Sequence, residues 1–260
     1  MNESQRRAYA ALGIGPAWRP RRAAAEPVGA TAAGSLVEPI ATEPTAAEPL
    51  DRTPGAAPAA DASEVARMDW PQLREAVSQC RACGLCETRT RTVFGTGDER
   101  AGWMVVGEAP GAEEDRLGEP FVGNAGRLLD QMLAALGLAR GHDVFIANVL
   151  KCRPPQNRDP SPDEMQHCEA YLRRQIELVA PRVIVVVGRI AAQSLLRTEA
   201  SIASLRGRVH ACRVGERTVP VVVTYHPAYL LRSPPDKARA WADLCLARRA
   251  HDDAAAPEPP

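Results

Sequence analysis

The chain has 260 residues, 45% of them hydrophobic, and its acidic and basic side chains balance to a formal net charge of zero. That is enough apolar material for one domain with its own core plus flanking segments, and no run approaches the roughly 20 apolar residues of a membrane helix. The opening MNESQRRAYAALGIGPAWRP lacks the apolar stretch of a secretory signal, so a soluble cytoplasmic protein with no membrane partner is expected. Seven cysteines in that setting point to metal ligation or free thiols rather than a disulfide framework.

The neutral total conceals an uneven distribution. Residues 1–65 carry 6 basic and 8 acidic side chains, whereas residues 66–250 carry 26 basic and 21 acidic ones, a net +5. All but Lys151 and Lys237 of those 26 cations are Arg, the side chain suited to bidentate phosphate contact, although solubility alone accounts for a charge of this size equally well.

In chain order, residues 1–21 hold Tyr9, Leu12, Ile14 and Trp18 and could form a short helix or a terminal partner-binding peptide. Residues 22–65 are dominated by Ala, Pro, Glu, Thr and Gly with no aromatic residue. Such a stretch cannot bury enough apolar surface to offset its ordering entropy, and a disordered linker is expected. Residues 66–250 alternate strand and helix patterns. WMVVG (103–107) reads as a strand; GRLLDQMLAALGL places Leu128, Leu129, Met132, Leu133 and Leu136 on one helix face. DVFIANV (143–149) is the next strand. The helix that follows has Ser161 as its cap, Pro162 at its first position and acids in its first turn. RVIVVVG (182–188) and VPVVVTY (219–225) are strands, with helices over 190–196 and 235–250. Residues 251–260 read as a disordered tail. Strands that are apolar throughout and separated by helices predict an α/β fold with a parallel sheet covered on both faces. Ligands of such sheets bind at the carboxyl ends of the strands, here 107–123, 148–158, 188–194 and 225–232.

The first of these ends, GEAPGAEEDRLGEPFVGNAG, joins glycines that permit close backbone approach with the carboxylates Glu108, Glu113, Glu114 and Asp115 and one aromatic, Phe121. The second carries Asn148, whose amide can both donate and accept, and then Lys151, Arg153 and Arg158 in a proline-stiffened cationic loop. The fourth carries His226, held extended by Pro227, followed by Leu230, Leu231 and Arg232, which read as an exposed apolar and cationic tip able to wedge into a base stack. A carboxylate, an amide and an imidazole converging on one sheet edge form a candidate site. Cys80 and Cys83 form a C-x-x-C pair that Cys152 and Cys168 can complete. Four thiolates suit zinc and iron–sulfur equally. Cys86 is expected to be left out, and Cys212 and Cys245 to be ordinary buried thiols.

Four stretches, CRACGLCETRTRTVFGTG, VGEAPGAEEDRLGEPFVGNAGRLLDQML, NVLKCRPPQNRDP and HPAYLLR, together resemble the family 4 (iron–sulfur) uracil-DNA glycosylases over roughly residues 70–248. The resemblance implies an α/β/α sandwich around a four-stranded parallel sheet, and a 4Fe–4S cluster on Cys80, Cys83, Cys152 and Cys168. It implies a monomeric, nucleoid-associated enzyme whose partner is uracil-containing DNA, with the N-terminal extension available to a repair or replication protein. Gly107, Ala109, Phe121 and Asn148 would bind the flipped base, Phe121 by stacking and Asn148 by reading the O4/N3 edge. His226 would donate to O2 as negative charge grows there, while Lys151, Arg153, Arg158, Leu230, Leu231 and Arg232 would contact DNA. The activating Asp common in the superfamily is Ala109 here. Glu108 and Glu114 are the candidates for positioning water, Glu114 alternatively for excluding a thymine methyl. Two other readings stand beside a repair hydrolase: a relative that binds uracil-DNA covalently through a histidine, and a non-enzymatic iron–sulfur DNA-binding accessory protein.

Overall fold

The structure is a computed structural model that describes residues 62–255, all within one compact unit. The described chain enters through α1 (Ala62–Val65) and α2 (Trp70–Gln79). α2 begins on a capping box: the Asp69 side chain accepts from the Gln72 amide and the Gln72 side chain accepts from the Asp69 amide, with Pro71 in the first turn, where its missing N–H is not needed. One turn, α3 (Leu85–Thr88), follows the C-x-x-C pair. After it come β1 (Thr96–Gly97), β2 (Trp103–Gly107), α4 (Ala112–Leu117), α5 (Asn124–Ala135), β3 (Val144–Asn148), α6 (Pro162–Val179), β4 (Val183–Val187), α7 (Arg189–Leu196), α8 (Ile202–Leu205), β5 (Val209–Val214), β6 (Arg217–Thr224), α9 (Pro227–Arg232) and α10 (Lys237–Ala255). The cap foreseen at Ser161 is present, closed into a capping box by Glu164.

The strands form one sheet in the order β1-β3-β2-β4-β6-β5. Its inner four, β3, β2, β4 and β6, are parallel, as the apolar runs predict. The sheet is wider than four because β1 and β5 add antiparallel edges. β1 has only two residues, and β5 buries only two of its six side chains, so neither has the continuous apolar run that marks a central strand.

Period-2 alternation sorts the strand residues onto two faces. Met104, Val106, Phe145, Ala147, Ile184, Val186, Val221 and Val223 pack with α1, α2, α6 and α7. Trp103, Val105, Val144, Ile146, Val183, Val185 and Val222 pack with α5, α9 and α10. The result is a three-layer α/β/α sandwich whose strand carboxyl ends open on one edge.

Two boundaries move. The expected linker 22–65 ends earlier, because α1 begins at Ala62 and Val65 is 1% exposed within the core. The expected tail 251–260 is helical as far as Ala255. Its His251 ring stacks on Trp103 at 4.8 Å and 20° and covers an indole at the start of β2 that would otherwise meet solvent. The terminal peptide 1–21, the linker up to residue 61 and residues 256–260 lie outside the described residues. Among the described residues no helix is long and apolar enough to cross a membrane. His251→Ala is expected to lower the unfolding free energy by about 0.5–1.5 kcal/mol, the scale of an aromatic pair; denaturant unfolding checks this, and an unchanged midpoint would mean that residues beyond 250 are passive.

Candidate active site and cysteine centre

Alternation and register decide what faces the open edge. Val144 and Ile146 point toward the α5 face, so Asn148 at the same parity does too, and Gly107 is its register neighbour on β2. A methyl group at Gly107 would collide with the Asn148 side-chain oxygen and the Phe121 ring, so glycine keeps that space open. Asn148 is 2% exposed, and its Oδ1 has no hydrogen-bond partner. A buried acceptor left in this state costs about 1–3 kcal/mol. It is an acceptor waiting for a donor.

Phe121 supplies one wall. Its backbone lies in the left-handed region at φ 55°, a conformation a bulky residue holds only when its surroundings impose it. Arg140 does so from the turn between α5 and β3: Nη1 donates to the Pro120 carbonyl at 2.9 Å, Nη2 to the Phe121 carbonyl at 2.8 Å, and the same guanidinium pairs with Asp130 at 3.0 Å. Glu114 acts on the next residue, its Oε1 accepting from the Val122 amide at 3.2 Å. Glu114 is therefore a brace of the loop that carries Phe121. The Gly-rich stretch is also more ordered than its composition suggests, because Glu113, Glu114 and Asp115 sit in the first turn of α4, where the helix dipole favours them, and Gly118 ends that helix at φ 81°.

His226 caps α9. Its Nδ1 accepts from the Ala228 amide at 3.1 Å, which leaves Nε2 as the nitrogen that carries the proton in a neutral ring. The ring stacks against Phe121 at 5.6 Å and 29°. Gly188, at φ 101°, lies under its Cβ, and a methyl there would come within 3.3 Å. Burial, with a smaller contribution from the Arg232 charge, pulls the imidazole down to about 4, so near neutral pH it is an uncharged donor. Glu108 follows Gly107 directly. Burial first, then the Asp159 charge, opposed by Arg189, pushes its carboxyl up to about 7. A carboxylate poised there can act as a base near neutrality.

Two of the residues expected to touch DNA do not reach the surface. Lys151 is 1% exposed and donates to the Asn148 carbonyl and to Gln175 Oε1, both at 2.7 Å. A side chain buried to this degree does not meet a phosphate. Leu230 is 1% exposed and belongs to the core, because one turn of helix turns it inward while Leu231, at 44% exposure, and Arg232 stay outside. Tyr229 joins Leu231 at that tip, its hydroxyl donating to Asp236 at 2.6 Å. Arg153 donates to Asn157 at 2.7 Å. Arg158 is exposed and forked onto Glu164 at 2.5 and 2.9 Å, a pair that holds the Glu164 carboxyl below its usual range. Ala109, half-buried two residues after Gly107, packs against the cluster that holds Cys152 and Cys168.

All seven cysteines are free thiols. Cys152 and Cys168 are buried together with Leu85 and Leu150, and Cys83 packs against them. Cys80 acts electrostatically on Cys83 and Cys152, and Tyr171 is hydrogen-bonded to it. Among the described residues no three of His, Cys, Asp or Glu are grouped as a single metal ion would require; what these four cysteines share is a neighbourhood. Burial pushes Cys152 up to about 11 and Cys168 up to about 12. Polar donors nonetheless converge on the sulfurs: Arg89 Nη1 donates to Cys152 Sγ at 3.0 Å while its Nη2 holds the Cys80 carbonyl at 2.7 Å, and the Lys151 amide bonds Cys168. Donors aimed at sulfur in a dry site suit thiolates bound to metal better than neutral thiols. Asp115, 4% exposed, accepts from the Thr90 and Arg91 amides and ties the cysteine segment to α4. Arg89, Arg140, Asp159, Arg189 and Gln175 were not legible as site residues, since nothing in the sequence separates them from other surface arginines, acids and amides.

With this geometry in view, the comparisons identify the class. The sequence model of the uracil DNA glycosylase superfamily matches residues 94–245, and the chain belongs to that superfamily. It is 50% identical over 166 residues to the type-4 uracil-DNA glycosylase of Archaeoglobus fulgidus, covering 62% of this chain and 82% of that protein. Against Pyrobaculum aerophilum it is 42% identical to the type-4 enzyme, over 69% of this chain and 93% of that protein. It is 35% identical to that organism's type-5 enzyme, over 52% of this chain and 64% of that protein. Both identity and coverage thus favour the type-4 group. Arg140→Ala, which releases the Phe121 and Pro120 carbonyls, is expected to cost about 1.5–3 kcal/mol and to raise amide exchange at Val122; exchange as slow as in the parent chain would show that the loop holds itself.

Proposed function

We infer that this chain is a uracil-DNA glycosylase of DNA repair, hydrolysing the bond between uracil and deoxyribose. The observation that carries the reading is the buried, unpartnered Asn148 Oδ1 beside Gly107 and Phe121. It offers an acceptor to N3–H of a flipped uracil, and the amide nitrogen can donate to O4. Cytosine reverses the pattern at position 4 and would leave buried polar groups unpaired. Phe121 would stack on the base. As the glycosidic bond breaks, electrons flow onto the uracil ring and O2, where the neutral His226 would donate its Nε2 proton in a hydrogen bond. The sugar, now cationic at C1′, takes a water whose proton Glu108 can accept. Arg158 and Arg232, with the half-buried Arg153, supply the cations and Leu231 the apolar tip for the DNA backbone and stack. Lys151 and Leu230 are not part of that surface.

Cys80, Cys83, Cys152 and Cys168 would hold a 4Fe–4S cluster, the group the family resemblance implies and the donor set fits. When bound, such a cluster supplies a cross-link between sequence-distant segments and a metal centre capable of electron transfer. Base release needs neither electrons nor metal, and the residues around Asn148 and His226 carry it.

The test is release of free uracil from a uracil-containing oligonucleotide, with iron determined on the same sample. His226→Ala is expected to slow release by roughly 10²–10³, the scale of one lost oxyanion donor; a rate near that of the parent chain would remove His226 from the mechanism. Binding of the oligonucleotide without base loss would instead favour the accessory-protein reading. The second expectation concerns pH. Glu108 acts as the ionised base, so single-turnover release should rise as pH rises through about 7 and level off above it. Glu108→Gln should remove that limb; a flat profile in the parent chain would exclude Glu108 as the base.

A further inference from the structure

Lys151 is buried at 1% exposure, and a polar group so placed is costly unless it is hydrogen-bonded. Among the described residues its side chain bonds no carboxylate; what it bonds is a pair of neutral oxygens. Its Nζ donates to the Asn148 carbonyl and to Gln175 Oε1, each at 2.7 Å, and Gln175 is anchored in turn by its Nε2, which donates to the Phe94 carbonyl at 2.8 Å. At its other end Lys151 belongs to the cysteine centre: its backbone amide bonds the Cys168 sulfur, its carbonyl accepts from the Val93 amide at 2.7 Å, and its chain neighbour is Cys152.

We propose that Lys151 is a positioning residue that ties the base-reading Asn148 to the cysteine centre. The carbonyl it holds belongs to Asn148 itself, at the point where β3 ends and no strand partner continues the ladder on that side. Fixing that carbonyl fixes the peptide plane from which the Asn148 side chain departs toward Gly107. An apolar side chain of the same length would fill the space but leave both the carbonyl and Gln175 Oε1 without a donor. The inference rests on the glycosylase and cluster readings above, and it assigns the lysine a task distinct from phosphate binding.

The experiment compares the parent holoprotein with Lys151→Met in three measurements: single-turnover uracil release, affinity for a uracil-containing oligonucleotide, and the rate of iron loss to a chelator without oxygen. The expected result is release slowed by roughly 10²-fold, the cost of about 1 Å of misplacement. DNA affinity should stay within about twofold, and iron loss should be roughly 10–100-fold faster, the range for a lost outer partner of a metal ligand. A fall in DNA affinity with release at saturating DNA unchanged would overturn the assignment in favour of a phosphate contact. Unchanged release and unchanged iron retention would overturn it outright. Gln175→Leu separates positioning from packing: it removes the second acceptor but leaves the bond to Asn148, and release should remain within about fivefold of the parent. A loss as large as that of Lys151→Met would overturn the proposal. Lys151→Gln, which keeps an amide donor, takes the same measurements if Lys151→Met does not fold. Failure of the parent chain to release uracil would refute the glycosylase reading itself, and the iron-loss comparison would still decide whether Lys151 serves the cysteine centre.

Discussion

One buried oxygen without a donor organises the open edge of this sheet. Asn148 Oδ1 sits at 2% residue exposure with no partner, a state that the protein's own packing would normally remove by rotation or by a neighbouring donor. Several otherwise costly features keep it that way. Gly107 removes the side chain that would cover it. Phe121 adopts a left-handed backbone to bring its ring alongside, and that backbone is held from outside by Arg140 and, one residue on, by Glu114. Lys151 is buried beneath it with its Nζ donating to the Asn148 carbonyl. Strain, a buried lysine and an unpaired acceptor at one edge are what a site built for a ligand looks like before the ligand arrives.

The electrostatics divide the labour among the titrating groups. Burial lowers His226 to about 4 and raises Glu108 to about 7. The same physical cause acts in opposite directions because it disfavours whichever form is charged. Near neutral pH the imidazole is a neutral donor, with its tautomer set by the Ala228 amide. The carboxyl group is balanced between acid and base. A protonated imidazole would hold its charge against Arg232, and an ionised Glu108 would face the Asp159 charge, offset only in part by Arg189.

The cysteine centre stands behind this edge rather than in it. Its cysteines come from the segment before β1, from the turn after β3 and from α6, so it joins three stretches that the sheet alone does not fix. Arg89 and Asp115 are its outer ties, one to Cys152 and the Cys80 carbonyl, the other to the amides after Arg89. The turn that leaves β3 therefore carries Asn148 at its start and Cys152 four residues later, with Lys151 between them.

Much of this was written in the sequence, for reasons that can be named. Continuous apolar runs such as VIVVV belong only to strands buried on both faces, so the parallel core and the three layers followed. Glycine and aromatic residues inside a loop, an amide at a strand end and a histidine before proline marked the edge where the site lies, and the C-x-x-C pair marked the cysteine centre. The sequence could not determine which way a side chain turns once the helices are packed. Lys151 read as a surface residue because lysines usually are, and Leu230 because it adjoins Leu231 and Arg232 at a helix tip, yet the turn of the helix and the depth of a loop send both inward. Edge strands β1 and β5 escaped because they are half-solvated and lack a periodic signal. Arg140 and Arg89 became site residues only through folding, since their partners are carbonyls 9 to 20 positions away and a sulfur 63 positions away. Local pattern determines which element forms and which face it buries; long-range contact alone decides which charge is buried, which carbonyl it holds and which oxygen is left free.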